Sequence, residues 1–171
     1  MGGISFLQLR CWRLEESRVP SRVERNETIV TSFLDLVGAI ENIVQLLPEA
    51  SNISVVIGKS PLEQYWLAKE RLAFQPFASR ISFRWLNDLS FDEMLKHAAT
   101  LPPRSAILFN SLFSDASGGV YEDREVVSKL HAVARAPIFS FDVSDFGQGI
   151  VGGPWPSTVD AHGCHGLGDG D

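Results

Sequence analysis

Three short stretches place polar side chains directly after apolar runs. Gly58, Lys59 and Ser60 follow the first; Asn110 and Ser111 follow the second, with Ser114 and Asp115 a few residues on; Phe141, Asp142 and Asp145 stand at the end of the third. Hydroxyls, an amide and a carboxylate in such positions can hydrogen-bond a small polar ligand. Ser60, Asn110, Ser111 and Asp142 are the expected ligand contacts. The helix that begins after Ser60 is expected to add backbone amides and the positive end of its dipole. Each residue also has a plainer role: Ser60 as an N-cap, Asn110 and Ser111 as turn residues at a strand end, and Asp142 as a loop carboxylate.

Catalytic chemistry is not expected from these groups, because no nucleophile, base and orienting residue stand at a recognisable spacing. Neither a G-x-S-x-G elbow nor a G-x-x-x-x-G-K-[ST] phosphate loop occurs. Gly147, Gly149 and Gly152 match G-x-G-x-x-G, but Pro154, Trp155 and Pro156 follow where a dinucleotide fingerprint needs a helix. These glycines are expected to shape a crossover, with Ile150 and Val151 as a short strand. His97 and His131 fall within expected helices without ligands at metal spacing, and read as ordinary helix residues. His162, Cys164 and His165 cluster with Asp160 and Asp169 in a tail lacking periodicity, an incidental group. No metal and no cofactor are expected. A phospho-receiver reading fails for want of an acidic pair after the first strand, and Asn110 stands where the phosphoacceptor would be.

The elements that must position these residues alternate between two periods. Ile53–Ile57, Ser105–Phe109 and Ile138–Phe141 are short apolar runs of the kind buried on both faces of a parallel sheet. Ile81–Leu86 instead alternates Ile81, Phe83 and Trp85 with Ser82 and Arg84, which predicts an edge strand. Between them, apolar residues recur at three and four. Phe33, Leu36, Val37, Ile40, Ile43, Val44 and Leu47 form one stripe ended by Pro48. Ser60, Pro61 and Glu63 start a helix with a capping box, whose apolar face is expected to be Leu62, Tyr65, Trp66, Leu72 and Ala73. Ser90 and Glu93 form a second box ahead of Phe91, Met94, Leu95 and Ala98, and Pro102 and Pro103 close that helix. Val126, Val127, Leu130, Val133 and Ala134 supply the last.

Four strands joined by helical crossovers predict an α/β, three-layer, Rossmann-like parallel sheet. Numbered in chain order from Ile53, the strands should lie in the order 2-1-3-4. The centre of the sheet is then a switch point, and ligands bind at the carboxyl ends of the strands there. Residues 1–27 and 154–171 carry no sustained period and are expected to be loosely held, flanking a lobe over 28–153.

Composition bounds the rest. At 171 residues, 44% hydrophobic and 21% charged, the chain is that of one globular domain with a sizeable core. A net charge of −6 disfavours nucleic acid. Two cysteines, Cys11 and Cys164, cannot build a disulfide framework or a four-cysteine zinc site. No apolar run is long enough to cross a membrane, so no membrane contact is expected, and the first residues lack an export signal.

Three segments carry a family likeness: FLDLVGAIENIVQLLPEASNISVVIG from Phe33, WLNDLSFDEMLKHAATLPPRSAILF from Trp85, and APIFSFDVSDFGQGIVGG from Ala136. Over Thr28 to Gly153 the chain resembles the periplasmic-binding-like sensor regions of bacterial sensor histidine kinases, which are related to ABC transporter substrate-binding proteins. LPPRSAIL and GIVGG are the most specific pieces. The resemblance implies one lobe of a type I periplasmic-binding fold, the second, with a small ligand held in the cleft against a first lobe. That first lobe, a transmembrane segment, the dimerisation helices and the ATP-binding module have no counterpart here, so kinase activity is not expected of these residues. WPSTVDAHGCHGLGDGD departs from the helix the family would place after Pro154, as a truncated or frameshifted end would. The stretch before residue 26 departs similarly.

The implied function is a small-molecule ligand-binding sensory module of two-component signalling, or part of a transport substrate-binding protein, working in the periplasm. Two alternatives stand beside it. One is a doubly wound hydrolytic enzyme using Ser60 or Asp142. The other is an interaction module that pairs with a first lobe or with another copy of the chain.

Overall fold

The computed structural model describes residues 34–154 together with strands at 10–14 and 27–31. Expectations for Phe33, for the 155–171 tail and for His162, Cys164 and His165 lie outside the described residues. The chain divides into two compact units, Asp35–Trp155 and the remainder. In the remainder, β1 (Arg10–Leu14) and β2 (Glu27–Thr31) pair in parallel, Arg10 opposite Glu27 and Leu14 opposite Thr31. β1 falls in a stretch for which sequence periodicity predicts no element.

The larger unit runs α1 (Leu36–Leu46), β3 (Asn52–Ile57), α2 (Pro61–Ala73), β4 (Ser82–Trp85), α3 (Phe91–Ala99), β5 (Ser105–Ser111), α4 (Asp123–Val133), β6 (Ile138–Ser140) and β7 (Ile150–Gly152). Its five strands form one sheet in the order β4-β3-β5-β6-β7, and every pairing is parallel. Numbered from β3, this is 2-1-3-4-5, the expected order with the short Ile150 strand added at the far edge. β4 is outermost, as its alternating pattern predicts. β3 and β5 adjoin at the centre, with the crossover to β4 leaving one way and those to β6 and β7 the other.

Right-handed crossovers in opposite directions put helices on opposite faces, and two separate cores result. On one face α1 and α2 cover Ile53, Val55, Ile57, Ala106, Leu108 and Phe139; on the other α3 and α4 cover Val56, Ile107, Phe109, Ile138 and Ile150. Strands β3 and β5 are buried along nearly their whole length, and Val55–Ile57 and Ala106–Phe109 are apolar because both faces are dry. Ser54 is the polar exception in the run Ile53–Ile57. It is buried, and its hydroxyl pairs with His97 Nε2 at 2.9 Å, which gives that histidine a partner the helix alone did not announce.

The helix α2 departs from its expected apolar face. Its buried stripe is Glu63, Leu67 and Glu70, while Leu62 and Leu72 are exposed. Tyr65, Trp66 and Ala73 are half-buried beside it. Two carboxyl groups are thus turned toward the sheet. The edge of that layer is closed by aromatic stacking of Phe74 on Phe83 and on Trp85, at 5.3 and 5.8 Å between ring centroids. Among the described residues no helix is long and apolar enough to cross a membrane.

Candidate functional site

The carboxyl ends of β3, β5 and β6 meet at one rim, and the sequence-predicted residues stand there. The strand-end loops are stitched together by their backbones: the Gly58 amide donates to the Ser111 carbonyl (3.0 Å) and the Lys59 amide to that of Ser114 (2.8 Å). Between Val56 and Ile57 the pairing with β5 slips, so that Val56 faces Phe109 and Ile57 faces Ser111. Asn110 is the extra residue. Such a bulge re-aims the side chains beside it, and here both Asn110 and Ser111 reach α2.

Glu63 organises this end of the sheet. It closes the expected capping box, accepting from the Ser60 amide at 2.8 Å while its own amide donates to the Ser60 hydroxyl at 3.3 Å. Its other carboxylate oxygen accepts from the Phe113 amide at 2.7 Å and from the Ser111 hydroxyl at 3.4 Å. Gly58 leaves the room: a Cβ at that position would come within 2.3 Å of the Glu63 carboxyl. The expectation of amides offered to a ligand is therefore corrected in part. Glu63 is itself the anion at the helix N-terminus, and it already takes the amides of Ser60 and Phe113.

Two turns further along the same stripe, Glu70 is fully buried and accepts a hydrogen bond from the Asn110 side-chain amide, while its second oxygen has no partner. Burial pushes its carboxyl up to about 8, and the Asn110 bond only partly opposes this. The buried site accordingly favours the protonated form of Glu70.

The loop from β5 to α4 is built around Asp115. Its carboxylate accepts from the amides of Phe91 (2.8 Å), Ser117 (2.9 Å) and Gly119 (2.9 Å), and from the hydroxyls of Ser117 (2.7 Å) and Tyr121 (3.0 Å). Burial alone would raise this carboxyl, but those donors outweigh it and hold it well below the usual range. Asp123 ties the start of α4 to the end of β5 by accepting from the Leu112 amide at 2.9 Å. Its carboxyl is raised by burial and then by the nearby charges of Asp145, Glu63 and Asp142, against that hydrogen bond. Asp145 is raised by burial and by Asp142, with the Ser140 hydroxyl at 2.6 Å and Arg124 opposing.

The predicted residues are thus only partly brought together. Ser60 and Ser111 share Glu63; Asn110 belongs to Glu70; Asp142 stands apart, exposed, capping the short 3-10 turn Val143–Asp145 through the Ser144 amide at 2.8 Å. The sequence reading missed Glu70 and the second role of Glu63. Glu63, Leu67 and Glu70 recur at four and three, but what turns the two carboxyls inward is a pair of partners fifty and forty residues away, Phe113 and Asn110.

Chemically, the rim offers hydrogen-bond donors and acceptors over a negative field. Among the described residues no base is hydrogen-bonded to the Ser60 hydroxyl, and no group of His, Cys, Asp and Glu is placed to hold a metal ion. Leu62, Phe113, Val120, Val143 and Phe146 leave large apolar surface exposed on segments that follow strand ends, with Phe113 46% and Phe146 65% accessible. No family model and no curated protein matches this chain.

Proposed function

We propose that the Asp35–Trp155 unit is a ligand-recognition lobe of a periplasmic-binding-like sensor or transport substrate-binding protein, not a catalyst. The carrying observation is the rim itself: the segments after the strand ends carry both the polar groups and the exposed Leu62, Phe113, Val120, Val143 and Phe146. Exposed apolar surface rimming polar groups marks a binding face. The chain path supports the same reading. α1 ends beside Arg104 and Pro137 at the amino ends of the strands, so its eleven residues, about 16 Å long, begin toward the opposite rim. β7 also runs toward that rim, being parallel to its neighbours. Both passages out of the unit are directed to the side on which a first lobe would close over a ligand.

Glu63, Asp123, Asp142 and Asp145 make this face acidic, which favours a neutral or amine-bearing ligand over a phosphate. Lys59, paired with Asp88 at 3.4 Å, and the half-buried Ser60 and Asn110 supply donors. The periplasm is the working place this reading entails. These exposed apolar residues also favour pairing with a first lobe or with a second copy, which is how the cleft would be completed.

The test is a ligand-observed NMR screen of amino acids, small amines and neutral polar metabolites against the full chain, repeated with Asp142→Ala. The expected result is a saturable binder that is recovered unchanged and is weakened about tenfold or more by the substitution. A binder converted to product, one indifferent to Asp142, or no saturable binder in these classes at millimolar concentration would each overturn the proposal.

A further inference from the structure

At the opposite rim, where the strands begin, the loops before β3, β5 and β6 enclose a concavity of about 380 Å³. That volume lies in the range of roughly 300–1,000 Å³ typical of small-molecule sites. Its walls are apolar and stiff: Leu47, Pro48, Pro102, Pro103 and Pro137 contribute, and prolines fix their own backbone. A preformed wall of this kind loses little entropy when a ligand arrives.

Four polar residues interrupt the wall: Glu49, Arg104, Ser105 and Arg135. Arg104 adopts a left-handed backbone, φ 64°, in which its carbonyl accepts from the amides of both Ser51 (2.9 Å) and Asn52 (3.3 Å). A non-glycine residue held there costs energy and persists only where its surroundings over-determine it. The side chain is anchored as well, donating from Nε to the Glu49 carbonyl at 2.6 Å, with the Glu49 carboxylate 3.7 Å from Nη2. Arg135 is exposed at the same concavity, its backbone tied by its amide to the Ala98 carbonyl at 3.1 Å. Ser105 lines the floor, 6% exposed, and its hydroxyl makes no hydrogen bond. A buried hydroxyl without a partner is costly. In a chain of net charge −6, two guanidinium groups against one well-solvated carboxylate make this a locally positive mouth over an apolar floor.

We propose that this concavity is a second ligand site, taking a small carboxylic acid with an apolar body. The apolar portion lies against the prolines and Leu47, and the carboxylate pairs with Arg135 and Arg104. Guanidinium groups suit planar carboxylates because their donors match both oxygens. This site is independent of the one at the carboxyl ends of the strands, which is acidic and would repel such a ligand.

The test is amide chemical-shift mapping of the full chain with hexanoate and benzoate, alongside hexanamide and benzamide as uncharged controls. Saturable shifts are expected at Ala50, Arg104, Ser105 and Arg135 with the acids and not with the amides, and Arg135→Gln should weaken binding about tenfold. Arg135 is exposed and tied only by its backbone, so the variant folds, which its unchanged amide spectrum elsewhere verifies. Absence of saturable shifts in these loops, equal shifts from the amides, or acid binding indifferent to Arg135→Gln would overturn the proposal. Shifts at Ser60, Asn110, Ser111 and Asp142 report on the other site and bear only on the sensor-lobe reading.

Discussion

Replacing Glu70 by glutamine should stabilise the protein above neutral pH, by an amount the structure sets. Glu70 is fully buried between α2 and the end of β5, and its carboxyl is raised from 4.5 to about 8. Between those values the folded protein keeps a proton that the unfolded chain releases, so stability falls as pH rises. The slope is about 1.4 kcal/mol per pH unit, and across the whole interval the loss is on the order of 4–5 kcal/mol. That is a large part of a typical domain's roughly 5–15 kcal/mol. Glutamine keeps an oxygen to accept from the Asn110 amide and never ionises. Urea melts of both proteins from about pH 5 to about pH 8 should therefore diverge steadily, nearly together at the acid end and several kcal/mol apart at the alkaline end. Taking the difference between the two proteins cancels other titrating groups. Parallel profiles would refute the reasoning, because they would mean that Glu70 ionises alike in folded and unfolded chains.

Leu108, fully buried in the central strand β5, should cost on the order of 2–5 kcal/mol when changed to alanine, against roughly 0.5–2 kcal/mol for Ser60→Ala at the cap; equal, near-zero losses in denaturant melts would contradict both assignments. Asp115→Ala leaves the donors of Phe91, Ser117, Gly119 and Tyr121 without their acceptor, so a loss of about 2–4 kcal/mol in the same melts, with faster hydrogen exchange at Phe91 and Gly119, is expected. His97 is lowered from 6.5 by burial and then by Arg84, so its neutral form belongs to the fold and its contribution is lost as pH falls below that value. An imidazole C–H titration should give a midpoint under 6.5, and one at or above it would contradict the placement of His97 half-buried beside Ser54 and near Arg84.

Much of the fold was legible because its signals are local. A buried parallel strand needs apolar side chains on both faces, so Ile53–Ile57 and Ser105–Phe109 declare themselves without reference to anything distant. Glu63 and Glu93 each reach back three residues to a serine amide, a contact contained in the Ser-x-x-Glu spacing. The alternation in Ser82–Trp85 marked the edge, and the edge with the two central strands sets the order.

What escaped depends on partners far along the chain. The stripe of α2 was sought among its apolar residues, yet Glu63 turns inward because the Phe113 amide, fifty residues on, needs an acceptor there. Glu70 turns inward to Asn110, whose position follows from a one-residue slip between β3 and β5. Neither the slip nor the amide's need is written in a helical period. The same dependence explains the site: Ser60 and Ser111 meet only through Glu63, and Asp142 spends its side chain on its own turn.

The most direct test of the central claim is amide chemical-shift mapping of the full chain against mixtures of amino acids and small amines. Saturable shifts should gather on the loops after β3, β5 and β6, at Ser60, Asn110, Ser111 and Asp142 and beside the exposed Phe113 and Phe146. Saturable shifts confined to the other ends of the strands, near Asn52 and Arg104, would contradict the assignment of ligand recognition to this rim.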